Sequence, residues 1–100
     1  GEVFDGIARL MRYADQVTEY VRRLAPEQRR AIKAALRALE SGKATDTRPL
    51  EDELEGFYRL RVGKFRIVYR HVPEVGISCE FIEVRRLVYE RFTSMLEALE

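Results

Sequence analysis

A chain of 100 residues, 46% hydrophobic and 35% charged, has the size and composition of one soluble domain with a buried core, spanning residues 1–100. The lone Cys79 excludes an internal disulfide, and with only one histidine it excludes a cysteine-rich zinc site, so neither metal nor cofactor is expected. The net charge of +1 hides a segregation: Phe57 to Arg91 carries eight bases against four acids, and Lys43 to Gly56 two bases against five acids.

The first fourteen residues read two ways. Val3, Ile7, Leu10, Ala14 and Val17 fit helical spacing, whereas Ile7 to Tyr13 also fits an irregular edge strand. No basic stretch followed by an apolar one appears here, so no secretion signal is expected. No apolar run approaches the ~18–20 residues that cross a bilayer, so no membrane partner is expected either. A cytoplasmic protein fits the single thiol.

Residues 15 to 41 predict a helical hairpin. Asp15 is placed to cap a first segment in which Val17, Val21 and Leu24 recur at i, i+4 and i+7. Pro26 suits the first position of a second helix, because its missing N–H needs no partner there. Ile32, Ala35, Leu36 and Leu39 form that helix's apolar stripe, and Gly42 stands where a left-handed C-terminal cap belongs.

Residues 43 to 56 lack periodicity and predict a connector. The period then becomes two. Tyr58, Leu60 and Val62 point one way and Arg59 and Arg61 the other; Phe65, Ile67 and Tyr69 oppose Arg66, Val68 and Arg70. Gly63-Lys64, with glycine first, predicts a type II′ hairpin turn. Ile77 to Val84 gives a third strand, and Val88, Phe92, Met95, Leu96 and Leu99 predict a C-terminal amphipathic helix. The expected class is α+β: a helical hairpin on a twisted antiparallel sheet of three to four strands, closed by that helix.

The run Gly56-Phe57-Tyr58-Arg59-Leu60-Arg61-Val62-Gly63-Lys64-Phe65-Arg66-Ile67-Val68-Tyr69, followed by Val84-Arg85-Arg86-Leu87-Val88-Tyr89, resembles the signature of the RelE/ParE toxin superfamily. Leu54, Gly56, Tyr58, Arg59, Arg61, Gly63, Arg66 and Tyr69 fall at their places in its L-x-G-x-Y-R-x-R-x-G-x-Y-R-x-x-Y pattern, with Phe65 substituting one aromatic for another. The resemblance covers roughly residues 7 to 91 and implies the toxin of a bacterial toxin–antitoxin pair, neutralised by a cognate protein antitoxin. RelE-like members cut messenger RNA in the ribosomal A site, whereas ParE-like members inhibit DNA gyrase; a degenerate, non-toxic member is a third possibility. The resemblance also tips Ile7–Tyr13 toward strand.

Cleavage of RNA by its own 2′-hydroxyl builds negative charge on the phosphoryl oxygens, which preorganised guanidinium groups stabilise without a metal. On that chemistry Arg66 and Arg85 are the candidates to hold the scissile phosphate, and Tyr89 to position the 2′-oxygen or a base. Arg59, Arg61, Lys64 and Arg86 are the candidates to grip the RNA backbone. The plain alternative makes the arginines the solvated side of a sheet, paired with Glu80 or Glu83. The chain departs from the family's nucleases, which commonly have lysines at Arg59 and Arg61. Others carry a glutamate near Arg48 and a histidine at Val84. Arginine stays protonated and makes a poor base, which leaves Tyr58, Tyr89 and His71 as stand-ins and favours the gyrase alternative. Cys79 reads as a half-buried structural residue. The C-terminal helix serves to close the core, to wall a groove for an antitoxin segment, or both.

Overall fold

A computed structural model describes residues 10–74 and 76–99. In chain order the elements are β1 (Leu10–Tyr13), α1 (Asp15–Arg22), α2 (Pro26–Glu40), β2 (Thr47–Pro49), a 3-10 turn (Asp52–Leu54), β3 (Tyr58–Val62), β4 (Phe65–Val72), β5 (Gly76–Val84) and α3 (Arg85–Ala98). The architecture is mixed α+β, as composition and periodicity predict. The sheet has five strands in the order β1-β5-β4-β3-β2, however, rather than three to four.

The helical hairpin forms where expected, with a three-residue link from Arg23 to Ala25 and Pro26 opening α2. Asp15 is the first helical residue and not the cap; Ala14 holds the cap position without a side-chain hydrogen bond. At the other end of α2, Gly42 adopts φ +77. It donates to the Leu39 carbonyl at 3.1 Å, and Lys43 donates to that of Ala38 at 2.7 Å. This is the Schellman arrangement that a left-handed glycine permits.

The central pairs β3–β4 and β4–β5 are antiparallel, with Leu60 opposite Ile67 and Ile67 opposite Ile82. Gly63 has φ +59 at the head of the β3–β4 turn, while Lys64 keeps a negative φ, the sign pattern of the expected type II′ turn. Two strands depart from expectation. Thr47–Pro49, inside the expected connector, pairs antiparallel with β3 as a short edge, where Pro49 sacrifices no needed donor. Leu10–Tyr13 is indeed strand, but it runs parallel to β5. The remainder of the Ile7–Tyr13 stretch lies outside the described residues.

The sheet is packed on both faces. Ile32, Leu36 and Leu39 of α2 and Val17 of α1 bury against Leu60, Phe65, Ile67, Tyr69, Ile77, Cys79 and Ile82. Each such side chain contributes about 1.5–3 kcal/mol by leaving water. On the opposite face Val88 and Phe92 of α3, one turn apart, bury against Leu54, Val68 and Phe81. The amphipathic C-terminal segment therefore does close a core. It starts three residues earlier than its apolar spacing predicts, so Arg85 and Arg86 lie in its first turn. Cys79 is fully buried, not half-buried, and burial pushes its thiol up to about 12 with Glu80 adding to the shift. It stays protonated and inert.

Where β1 ends, α1 takes over the edge of β5. The Gln16 side-chain amide donates to the Ile82 carbonyl at 2.7 Å and accepts from the Ile82 N–H at 2.8 Å. One side chain thus stands in for the next residue of a strand. Gly76 makes the β1–β5 contact possible. It has φ +141, and a Cβ there would sit 2.1 Å from the Leu10 carbonyl oxygen. Gly76→Ala is expected to destabilise the fold by ~1–3 kcal/mol, read by chemical denaturation, with hydrogen exchange rising first at β1.

Candidate functional site

Strand alternation and register place a row of guanidinium groups on the face that α3 only partly covers. Arg48 lies opposite Arg59, and Arg61 opposite Arg66, so the four project from one side of three adjacent strands. Farther along that side Val68 and Phe81 sit beneath α3. Its first turn borders the arginine row, because the Arg85 N–H donates to the Lys64 carbonyl at 2.9 Å and ties helix to hairpin turn. No carboxylate occupies that turn and no side chain caps it, so its positive dipole end adds to the field of the arginines.

Arg66 is the best-held member. It is only 8% exposed, and its Nη1 donates to the main-chain carbonyls of Gly63 and Phe65, both at 2.9 Å. Burial lowers the Arg66 pKa, and the nearby charges of Arg59, Arg61 and Arg85 lower it further, while Tyr89 acts in the opposite sense. Of the side chains that press on Arg66, the sequence names Arg85 for the scissile phosphate and Arg59 and Arg61 for the RNA backbone. A group that like charges push toward neutrality gains most from an incoming anion.

Arg59 and Arg61 are held differently. The Asp46 carboxylate takes Arg59 Nη1 on Oδ1 at 3.2 Å and Arg61 Nε on Oδ2 at 2.9 Å. The Asp46 carbonyl also accepts from Arg59 Nη1 at 3.3 Å. The plain alternative, pairing with Glu80 or Glu83, does not describe these arginines: Glu80 pairs with Arg70 at 3.1 Å and Glu83 with Arg91 at 2.6 Å.

Glu83 is opposite Arg66 in the register, yet its oxygens are engaged elsewhere. Oε1 accepts from Tyr20 OH at 3.1 Å and from the Val84 N–H at 3.0 Å, and Oε2 from Arg91. Burial would raise its pKa, but these hydrogen bonds and the Arg91 charge win and hold it below the ordinary carboxyl value. Tyr20, pushed up to about 12 by burial and by Glu83, remains the donor. The junction thus joins α1, β5 and α3. A carboxyl with a depressed pKa stabilises the fold fully above its unfolded value, and that contribution fades as pH falls through the folded value. The stability gap between the native chain and Glu83→Gln is therefore expected to be widest near neutrality and to close in acid, as read by thermal unfolding across pH.

The other sequence candidates are placed apart from the arginine row. Lys64 extends its Nζ over the Phe65 ring, 5.5 Å from the centroid, on the side of the helical hairpin. Arg86 is exposed in the first turn of α3. Of the three stand-in bases, Tyr58 and His71 are on the wrong face. Their rings meet at 5.1 Å, and the His71 ring also meets that of Tyr69, on the helical-hairpin side of the sheet. Only Tyr89 of the three shares the face of Arg66. Sequence reasoning missed Asp46 and gave Arg48 no binding role, because both belong to the aperiodic connector. The alternation of charge in Thr47-Arg48-Pro49 is too short to register as a strand.

No family model matches the sequence, and no curated protein matches it either. Solved structures do match. The fold is similar to one in the RelBE2 toxin–antitoxin complex of Mycobacterium tuberculosis, with TM-score 0.67 and 22% identity over 79% of this chain and 100% of that one. It is also similar to one in the archaeal RelE–RelB complex of Pyrococcus horikoshii OT3, with TM-score 0.66 and 21% identity over 79% and 97% of the two chains. A chain of the YoeB–YefM complex of Staphylococcus aureus matches with TM-score 0.60 and 21% identity over 78% and 99%. The chain therefore has the fold found in RelE and YoeB complexes, and the resemblance read from its strands holds at that level. Among the described residues no helix is long and apolar enough to cross a membrane.

Proposed function

We propose that this chain is the toxin of a toxin–antitoxin pair, a cytoplasmic RelE-like endoribonuclease that cleaves messenger RNA in the ribosomal A site and is neutralised by a cognate protein antitoxin. The observation that carries the reading is the placing of Arg59, Arg61 and the buried, carbonyl-braced Arg66 on one side of adjacent strands, with Arg85 tied to the turn beside them and Tyr89 on the same face. Arg66 and Arg85 hold the scissile phosphate and stabilise the charge that grows as the 2′-oxygen attacks. Arg59, Arg61 and Arg86 bind the flanking backbone, with Lys64 contributing long-range attraction from the turn. Tyr89 orients the 2′-hydroxyl. With Tyr58 and His71 on the other face, catalysis rests on orientation and charge stabilisation more than on a strong base.

The test is a reconstituted translation reaction with a defined transcript. Cleavage within ribosome-engaged codons, leaving a 2′,3′-cyclic phosphate and a 5′-hydroxyl, is the expected result, because the 2′-oxygen displaces the 5′-oxygen. No cleavage, together with inhibition of DNA supercoiling by gyrase, would move the reading to the ParE-like alternative that the missing base and histidine favour. Neither activity, with no growth arrest on expression, would leave a degenerate member that keeps only the fold.

A further inference from the structure

The arginine row is braced in two chemically different ways. Arg66 is held by neutral main-chain carbonyls of Gly63 and Phe65, which can remain in place while the guanidinium receives an anion. Arg59 and Arg61 are instead bridged by one carboxylate, Asp46, which presents an oxygen to each at 3.2 and 2.9 Å. Two oxygens on one anionic centre, shared by two guanidinium groups, is also how a phosphodiester would engage the same pair. The Asp46 side chain is 47% exposed and can swing into solvent, whereas the Arg59 side chain is only 13% exposed and needs another acceptor in its place. Arg59 would stay anchored afterwards, because its Nη1 also donates to the Asp46 main-chain carbonyl. The Arg61 N–H is likewise bonded to that carbonyl, at 3.0 Å, so the strand keeps its place when the side chain swings away.

We propose that Asp46 is a built-in competitor for backbone phosphate, occupying Arg59 and Arg61 in the unliganded protein and giving way to the phosphate of a bound RNA strand. The inference rests on the RNA-binding reading of this face for the identity of the ligand, but the competition itself concerns any phosphate. Asp46 sets how tightly the face binds and how steeply binding falls with salt. An intrinsic anion suppresses capture of stray nucleic acid and leaves strands that also engage Arg66 and Arg85 as the ones able to displace it. A competitor and an organiser make opposite predictions: removing a competitor tightens binding, whereas removing an organiser loosens it.

Asp46→Asn keeps the shape and the main-chain carbonyl and deletes the charge. Fluorescence anisotropy with a 12-nucleotide single-stranded RNA, across a potassium chloride series, should show the variant binding roughly 3- to 20-fold more tightly at low salt, as expected when one exposed and one half-buried ion pair no longer compete. The plot of log affinity against log salt should steepen by about 0.7 for each further phosphate that the freed arginines neutralise. In parallel, pyrophosphate titration followed on the Arg61 Nε–Hε resonance should saturate at lower concentration in the variant. Tightening toward pyrophosphate with no RNA binding by either protein would uphold the competition and overturn the RNA reading. Unchanged or weaker binding of both probes by Asp46→Asn would overturn the proposal and make Asp46 an organiser.

Discussion

On the proposed function, Arg66→Ala is expected to lower messenger-RNA cleavage on the ribosome by ~10²- to 10³-fold, the usual cost of removing one preorganised donor to a developing oxyanion. The loss falls on this residue more than on Arg59, Arg61 or Arg85 because Arg66 is both buried and locked. Two carbonyls of its own hairpin fix the guanidinium, so little conformational entropy remains to be lost when phosphate arrives. Arg66→Lys is expected to recover only a small part of the rate. A lysine has one charged nitrogen with which to satisfy two carbonyls and a phosphate, where arginine divides those roles among three nitrogens. The readout is the single-turnover rate on stalled ribosomes, with thermal unfolding of the same samples. A variant that unfolds normally and still cleaves within a few-fold of the native rate would remove Arg66 from the chemistry.

Phe92→Ala is expected to cost ~3–5 kcal/mol of stability, the range for deleting a buried phenyl ring. Phe92 is 1% exposed and meets the Phe57 ring edge-on at 5.0 Å and the Phe81 ring at 5.7 Å. It is the residue by which α3 grips both the sheet and the segment that leads into β3. Denaturant unfolding measures the loss directly. Activity should fall more steeply than the folded fraction, because α3 carries Arg85 and Tyr89 and is otherwise held near them by Val88 and by polar links at Lys64 and Glu83. Phe92→Leu, which refills much of the volume, should restore most of both.

What the sequence makes legible is whatever repeats. The apolar stripe of Ile32, Leu36 and Leu39, the alternation through β3 and β4 and the Gly63 turn are each visible because a local period or turn residue encodes them. The arginine row is visible for the same reason: alternation alone puts Arg59 and Arg61 on the face away from Leu60. Elements defined by distant partners are not legible. β2 is too short to show a period and exists because Thr47 and Pro49 find Leu60 and Tyr58. The parallel sense of β1 depends on the glycine at 76, which lets Leu10 approach. The start of α3 escapes periodicity because Arg85 and Arg86 are charged and join no apolar stripe. Which face His71 occupies follows from strand parity, because a strand read from Phe65 to His71 puts it in step with Ile67 and Tyr69.

The pairing of β1 with β5, extended by Gln16 onto Ile82, has a consequence for synthesis. Its two sides are 66 residues apart in the chain, and long-range closure of this kind comes late. As the polypeptide leaves the exit tunnel, the helical hairpin has all its own residues early, whereas the sheet edge cannot seal until β5 has emerged as far as Ile82. Arg85 and Tyr89 emerge later still. A partly made molecule therefore has its helical hairpin before it has the arginine face, which is complete only after β5 has paired and the first turn of α3 has met the Lys64 carbonyl.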